Sequence, residues 1–188
     1  MKKRKVRFSY EKLRSMDMVC CAGRSPFALV TRLVTAGWKH KLNHEISVHT
    51  GIIFPVEGQF LVAEMQAKGL QLNSLERYSK VGGRRWVISI RRNVAFDSVV
   101  TRCDVQRQIA LDLRHQLEYD PKGLLEFVFE RVEDDKERLY CSEYVYQISK
   151  SAGVKYPAGF RKSVSPYDLQ VCASGWNNVH GCMRVVPS

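Results

Sequence analysis

Two strongly apolar, β-branched runs stand almost back to back in this chain, and they limit its architecture more than any other feature. Ser47 to Phe54 is the first and Gln59 to Met65 the second, with Pro55 and Gly58 turning the chain between them. The pair predicts a central strand that returns directly as a second strand. Gly69 to Leu72 reads as a shorter third strand. Arg84 to Ile90 alternates well enough to be another, with Trp86, Ile88 and Ile90 on one face. Strands that succeed one another as meanders, without helices between them, predict an α+β layer fold with an antiparallel sheet rather than a doubly wound one.

Helices are expected on either side of this block. Asp17 to Cys21 reads as a short buried strand ended by Gly23. Ser25 and Pro26 then supply an N-cap and a first-turn proline for a helix over residues 26–36, with Phe27, Val30, Leu33 and Val34 on one side. Residues 37–46 read as a polar loop, and Asn73 or Ser74 can cap a helical turn. From Asp97 or Ser98 to about Leu117 the pattern is helical, with Val99, Cys103, Gln106, Ala110, Leu113 and Leu117 near one stripe. Asp120 to Gly123 breaks it. Leu124 to Phe129 is a short apolar segment, and Asp134 to Arg138 a charged loop. Cys141 to Ser151 reads as a helix stopped by Gly153, residues 154–180 as loop, and Cys182 to Val186 as a last strand.

At 188 residues, 45% hydrophobic and 26% charged, the chain has the size and composition of a single soluble domain. No run of eighteen apolar residues suggests a membrane span. The basic N-terminus is not followed by an apolar segment, so no secretory signal is expected and the cytoplasm is the default compartment. Delivery by a phage particle or a secretion machine stays open. The six cysteines contain no C-x-x-C pair and are read as free thiols. The net charge of +11 is uneven, because residues 1–14 hold seven Lys/Arg and one Glu. That segment is expected to be a solvated, partly disordered leader ahead of a catalytic domain over 15–188. It is able to touch a polyanion or an anionic membrane, although no nucleic-acid motif of defined spacing supports it.

Three residues carry the chemistry. Cys141 stands at the start of an apolar helix, where exposed N–H groups and the helix dipole favour a thiolate. His49 lies in the first apolar strand and needs a polar partner or a purpose there. Glu64 lies in the returning strand, where a hairpin can set it on the face of His49; Glu57 or Glu45 would take its place in another register. The roles are those of a nucleophile, a base and an orienting acid. Each residue alone has a plainer reading, as a buried cysteine, a core histidine and a strand-edge carboxylate.

In this order the residues resemble the circularly permuted branch of the NlpC-type papain-like superfamily, which includes YiiX-like hydrolases and lecithin:retinol acyltransferase-like proteins. Asp17-Met18-Val19 with Gly23-Arg24-Ser25-Pro26 resembles its opening strand, loop and helix. His49-Thr50-Gly51-Ile52 resembles its histidine strand, where a Ser-His-Val-Gly form is commoner. Ala63-Glu64-Met65 with Gly69-Leu70 resembles the strand of the third residue, and Tyr140-Cys141-Ser142-Glu143 the nucleophile helix. Tyr119-Asp120 and Ser165-Pro166-Tyr167-Asp168-Leu169 are weaker landmarks. The resemblance runs from about Asp17 to Leu169. It implies a permuted papain-like fold, an antiparallel sheet or small barrel packed on helices with the nucleophile at a helix N-terminus. It also implies a Cys141-His49-Glu64 triad, with the Cys141 N–H in an oxyanion hole, forming a thioester from a peptide, acyl-amino or lipid-acyl substrate. No cofactor is called for. Hydrolysis of an amide is the leading expectation, acyl transfer the second, and a non-catalytic binding module using the basic tail the third.

Other candidates fare less well. His40 and His44 are four apart, but Lys39 and Lys41 oppose a cation there, so no metal is expected. Trp38 is either a cleft wall or a packing anchor. Core packing accounts for Cys20, Cys21 and Cys103, and Cys172 and Cys182 read as unrelated thiols. Arg84-Arg85 and Arg91-Arg92 either bind an acidic substrate or mark strand ends at solvent.

Overall fold

The computed structural model describes residues 4–36, 45–82, 84–119, 138–156, 164–171 and 175–187. Its elements run β1 (Arg4–Phe8), β2 (Met18–Gly23), α1 (Pro26–Ala36), β3 (His49–Val56), β4 (Gln59–Gln66), β5 (Gly69–Ser74), β6 (Lys80–Val81), β7 (Arg85–Asn93), α2 (Val99–Arg114), β8 (Glu118–Tyr119), β9 (Arg138–Leu139), α3 (Cys141–Ser151), α4 (Pro166–Val171), β10 (Trp176–Asn178) and β11 (Met183–Pro187). Short 3-10 turns occupy Tyr10–Lys12, Leu75–Tyr78 and Val94–Asp97.

The expected hairpin forms, with Ile52 opposite Ala63 and Val56 opposite Gln59. It lies inside a six-stranded antiparallel sheet of order β10-β7-β2-β3-β4-β5. A second, three-stranded sheet has the order β11-β1-β6. The large sheet is buried on both faces. One face carries Met18, Cys20, Ile52, Ala63 and Met65 against Ile109, Tyr144, Val145, Ile148 and Leu169 of the helices. The other carries Val19, Cys21, Ile53 and Val62, packed with Tyr78, Phe8 and Met183. Alternation along β2 and β3 therefore feeds two cores, which is why both strands read as continuous apolar runs. No described helix is long and apolar enough to cross a membrane.

Several boundaries follow the local signals. Ser25 Oγ accepts from the Ala28 N–H at 3.1 Å, Ser98 Oγ from Thr101 at 3.3 Å, and Ser74 Oγ from Glu76 at 3.3 Å. Gly153, at φ 83°, ends α3 in the left-handed region that favours glycine.

Other expectations are corrected. The basic N-terminus is not a free leader from residue 4 onward. Residues 4–8 form the middle strand of the small sheet, Val6 and Leu13 are buried, and Val6 N–H donates to Ser79 O at 2.6 Å. In β7 the alternation breaks, because the β2–β7 register shifts between Cys20 and Cys21: Cys20 faces Ser89 and Cys21 faces Val87. The extra residue turns Val87 and Ile90 into the same core and leaves Ile88 on the other. On α1, among the described side chains, Ala28, Thr31 and Arg32 are buried and Val30 is exposed, while those of Phe27 and Val34 lie outside the described set. The Arg32 guanidinium reaches inward to donate to Gly23 O at 2.8 Å and rolls that face toward β2. On α2 the inward stripe is Val105, Ile109 and Leu113, whereas Val99, Cys103 and Ala110 face solvent. Polar anchors select this rotation: Gln106 donates to Ser15 Oγ at 2.7 Å and Tyr144 OH to Asp112 at 3.0 Å. Within 154–180 the chain forms α4 and β10 rather than loop alone. Ser165 and Asp168 cap α4 reciprocally, at 2.9 and 3.0 Å. The segments 124–129 and 134–137 lie outside the described residues.

Candidate active site

The parallel bridge of β8 with β9 ends at Leu139, Tyr140 stays extended as the N-cap, and Cys141 opens α3. The Tyr140 side chain makes no cap bond. The N–H of Cys141 is one of the four that no helical carbonyl can reach. The thiol therefore stands at the positive end of the helix dipole.

His49 opens β3 and lies opposite Cys21 of β2. Its approach is fixed from α4: Gln170 Oε1 accepts from Ser47 N–H at 2.6 Å, and Gln170 Nε2 donates to Glu45 O at 2.7 Å. Ser47 Oγ donates to the His49 carbonyl at 3.0 Å. Two residues on, Gly51 shares the face of His49. A Cβ there would stand 2.5 Å from Val62 Cγ1 and 3.1 Å from Glu64 Cβ. The missing side chain lets Glu64 come across the hairpin to the ring.

Glu64 is wholly enclosed and receives four bonds. His49 Nε2 donates to its Oε2. Tyr78 OH, Asn73 Nδ2 at 2.8 Å and Gln66 Nε2 at 2.5 Å all donate to its Oε1. The hairpin register thus brings Glu64 to the histidine. Glu45 is exposed, and Glu57 sits in the exposed β3–β4 turn at φ 47°. With Nε2 committed to Glu64, Nδ1 is left for the Cys141 thiol, which lies near enough for each group to shift the titration of the other.

The charges follow from these partners. Burial alone would push the Cys141 thiol up, but the His49 ring, the Thr50 N–H and the more distant Arg85 outweigh it and hold the thiol below its ordinary value. Burial would pull His49 down, but the Cys141 sulfur and the Glu64 carboxylate push it up to about 9. Glu64 is held below the usual carboxylate range against its own burial, by His49 and then by the Tyr78 hydroxyl. The three groups thus lean together toward thiolate, imidazolium and carboxylate, each favouring the charge of its neighbour.

Cys141 and His49 lie at the floor of a cavity of about 630 Å³, walled by Ser25 and Pro26 at the start of α1, Tyr140, Pro166 and a set of basic side chains. Sequence reasoning missed the supports of this floor. Tyr78 carries no signal in the sequence, because its role depends on a 3-10 turn folding back under β4. Asn73 was legible only as a cap, a task that Ser74 performs. His40, His44, Trp38, Lys39, Lys41 and Cys172 lie outside the described residues. Cys20, Cys21, Cys103, Cys141 and Cys182 are free thiols, and Cys103 is the exposed one among them.

The crystal structure of metalloprotein YiiX from Escherichia coli O157:H7 matches this architecture with a TM-score of 0.56, over 94% of this chain and 98% of that one, at 16% sequence identity. The chain has the YiiX fold. The α+β, permuted papain-like architecture expected from the sequence is therefore present, and at this identity the likeness to YiiX is one of fold. No protein-family model and no curated protein matches the sequence. YiiX is described as a metalloprotein. Among the described residues of this chain, no group of three or more His, Cys, Asp or Glu side chains gathers to hold a cation. His49 Nε2 and Glu64 Oε2 are spent on each other, so the described residues do not fit a metal centre.

Proposed function

We propose that this chain is a cysteine hydrolase that cleaves an amide bond through a thioester acyl-enzyme. Cys141 is the nucleophile, His49 the proton carrier and Glu64 the group that orients the ring. The observation that carries this reading is a lowered thiol beside a raised imidazole at the floor of an open cavity.

The thiolate attacks the carbonyl carbon, and the carbonyl π pair moves onto oxygen. The Cys141 N–H at the helix start stabilises that oxyanion. The imidazolium gives its Nδ1 proton to the departing nitrogen as the C–N bond breaks, leaving a thioester and a neutral ring. Water then enters, and Nδ1 takes its proton as the new C–O bond forms. The C–S bond breaks, the acid leaves, and the thiolate and imidazolium are restored. Glu64 keeps Nε2–H engaged throughout, so the ring presents Nδ1 to the sulfur in every step.

Iodoacetamide labelling followed by peptide mapping tests this directly. Cys141 is expected to react faster than the exposed Cys103 near neutral pH, although Cys141 is the more buried thiol. Cys141→Ser should remove amide turnover by about 10⁴-fold or more with the circular dichroism spectrum retained. Labelling of Cys141 no faster than Cys103, or a Cys141→Ser protein that still turns over, would sink the assignment.

A further inference from the structure

Four basic side chains line the cavity above Cys141: Arg77, Lys80, Arg84 and Arg85. Among the described residues no Asp or Glu lines it with them. They converge from three places, the 3-10 turn after β5, the short strand β6 and the entry to β7. Among the described residues none of the four takes part in an ion pair. Arg77 donates to Asn73 Oδ1 and so braces the Glu64 cluster as well. Lys80 stands directly opposite Lys5 in the β1–β6 ladder, a like-charge pairing that a sheet disfavours. Arg85 is close enough to the floor to favour the thiolate of Cys141 and the carboxylate of Glu64, and to oppose the protonated form of His49. Cations of one sign around a walled cavity focus the field and concentrate anions within it.

We propose that the cavity accepts an acyl substrate bearing an anionic group, a carboxylate or a phosphate, which Lys80, Arg84 and Arg85 hold while its carbonyl rests on Cys141. This rests on the reading of Cys141 as a nucleophile and adds the class of compound it acts on. Arginine forks suit either anion, since both present paired oxygens. An uncharged acyl chain would leave the cations without a counter-charge.

Paired alkylation separates the two claims. Iodoacetamide and iodoacetate react alike, the thiolate sulfur forming a bond to the methylene carbon as iodide departs, but only iodoacetate carries a carboxylate. At low salt, the iodoacetate-to-iodoacetamide rate ratio at Cys141 is expected to exceed the same ratio at Cys103 by about tenfold or more. The ratio should fall as salt is raised. It should also fall in Arg84→Gln and in Lys80→Gln, both exposed positions. Because the readout is a ratio, a general change in thiol reactivity cancels. Glutarate and inorganic phosphate are then compared as protectants against iodoacetate; the better one names the anion. A ratio at Cys141 no higher than at Cys103, a ratio indifferent to both substitutions and to salt, or protection by neither anion would each overturn the proposal. Fast iodoacetamide labelling with no preference for iodoacetate would overturn it while leaving the hydrolase reading in place. Slow labelling by both reagents would remove the hydrolase reading itself.

Discussion

Asp17 and Glu64 are buried to the same degree, each 1% exposed, in neighbouring parts of one sheet, yet they are built into different devices. Asp17, just ahead of β2, takes Arg92 Nε and Nη2 at 2.7 Å each and the Arg14 N–H at 2.9 Å. Its hydrogen bonds push Arg92 further above the ordinary arginine value, so the guanidinium keeps its charge at any working pH. Glu64 is satisfied at least as fully, but its charged partner is an imidazole whose other nitrogen meets a thiol. A carboxylate buried against a guanidinium fastens two strands. One buried against an imidazole orients a group that can still exchange a proton. The difference lies in the partner, because burial and hydrogen-bond saturation are nearly equal.

The largest expected effect tests that contrast by exchanging like changes. Glu64→Gln should lower turnover of an amide substrate by about a thousand-fold or more, with a small shift in the urea midpoint. Asp17→Asn should do the reverse: about 2 kcal/mol of stability lost, with turnover per folded molecule nearly kept. Equal loss of stability in both, with equal activity, would erase the distinction.

Titration sharpens it next. His49, raised to about 9 from an ordinary 6.5, contributes stability that is whole below 6.5 and is lost as pH rises toward 9. Turnover should fall over the same upper limb, because a neutral ring has no proton for the leaving nitrogen. In Cys141→Ala the ring should titrate lower, since the sulfur is the first of the influences that raise it. Ring proton shifts by NMR check both, and an unchanged midpoint in Cys141→Ala would break the ion-pair account.

Gly51→Ala should cost about 1–3 kcal/mol by overpacking and should separate Glu64 from His49, a loss visible in both melting temperature and turnover. The smallest effect is expected for Tyr78→Phe, about 1 kcal/mol for one bond removed from Glu64. Asn73 and Gln66 still hold that oxygen, so activity should fall only a few-fold. A Tyr78→Phe protein as inactive as Glu64→Gln would mean that the hydroxyl does more than support.

What the sequence disclosed about this arrangement follows physical range. The helix at Cys141 and its stop at Gly153, the caps at Ser25 and Ser98, and the hairpin that carries His49 and Glu64 all rest on neighbours within a few residues. They were legible. The swap of Ile88 to the other core was not, because it depends on one extra residue opposite Cys20 and Cys21, and alternation does not announce a bulge. Arg4 to Phe8 read as a charged tail because its apolar partners lie at the opposite end of the chain. On α2 two stripes fit the same period, and distant Ser15 and Tyr144 chose between them. Tyr78 is an ordinary residue until the fold brings its hydroxyl to Glu64.

The ladder that joins Arg4 to Pro187 has a bearing on how this protein is born. Strand β1 waits for β11, made long after it, so the second core stays unsealed until synthesis has passed residue 187. Closure at such sequence separation is slow. Phe8 is therefore left without its late-made neighbour Met183 while the helical core can already gather. A chaperone meeting the nascent chain would find its apolar surface there, around β1.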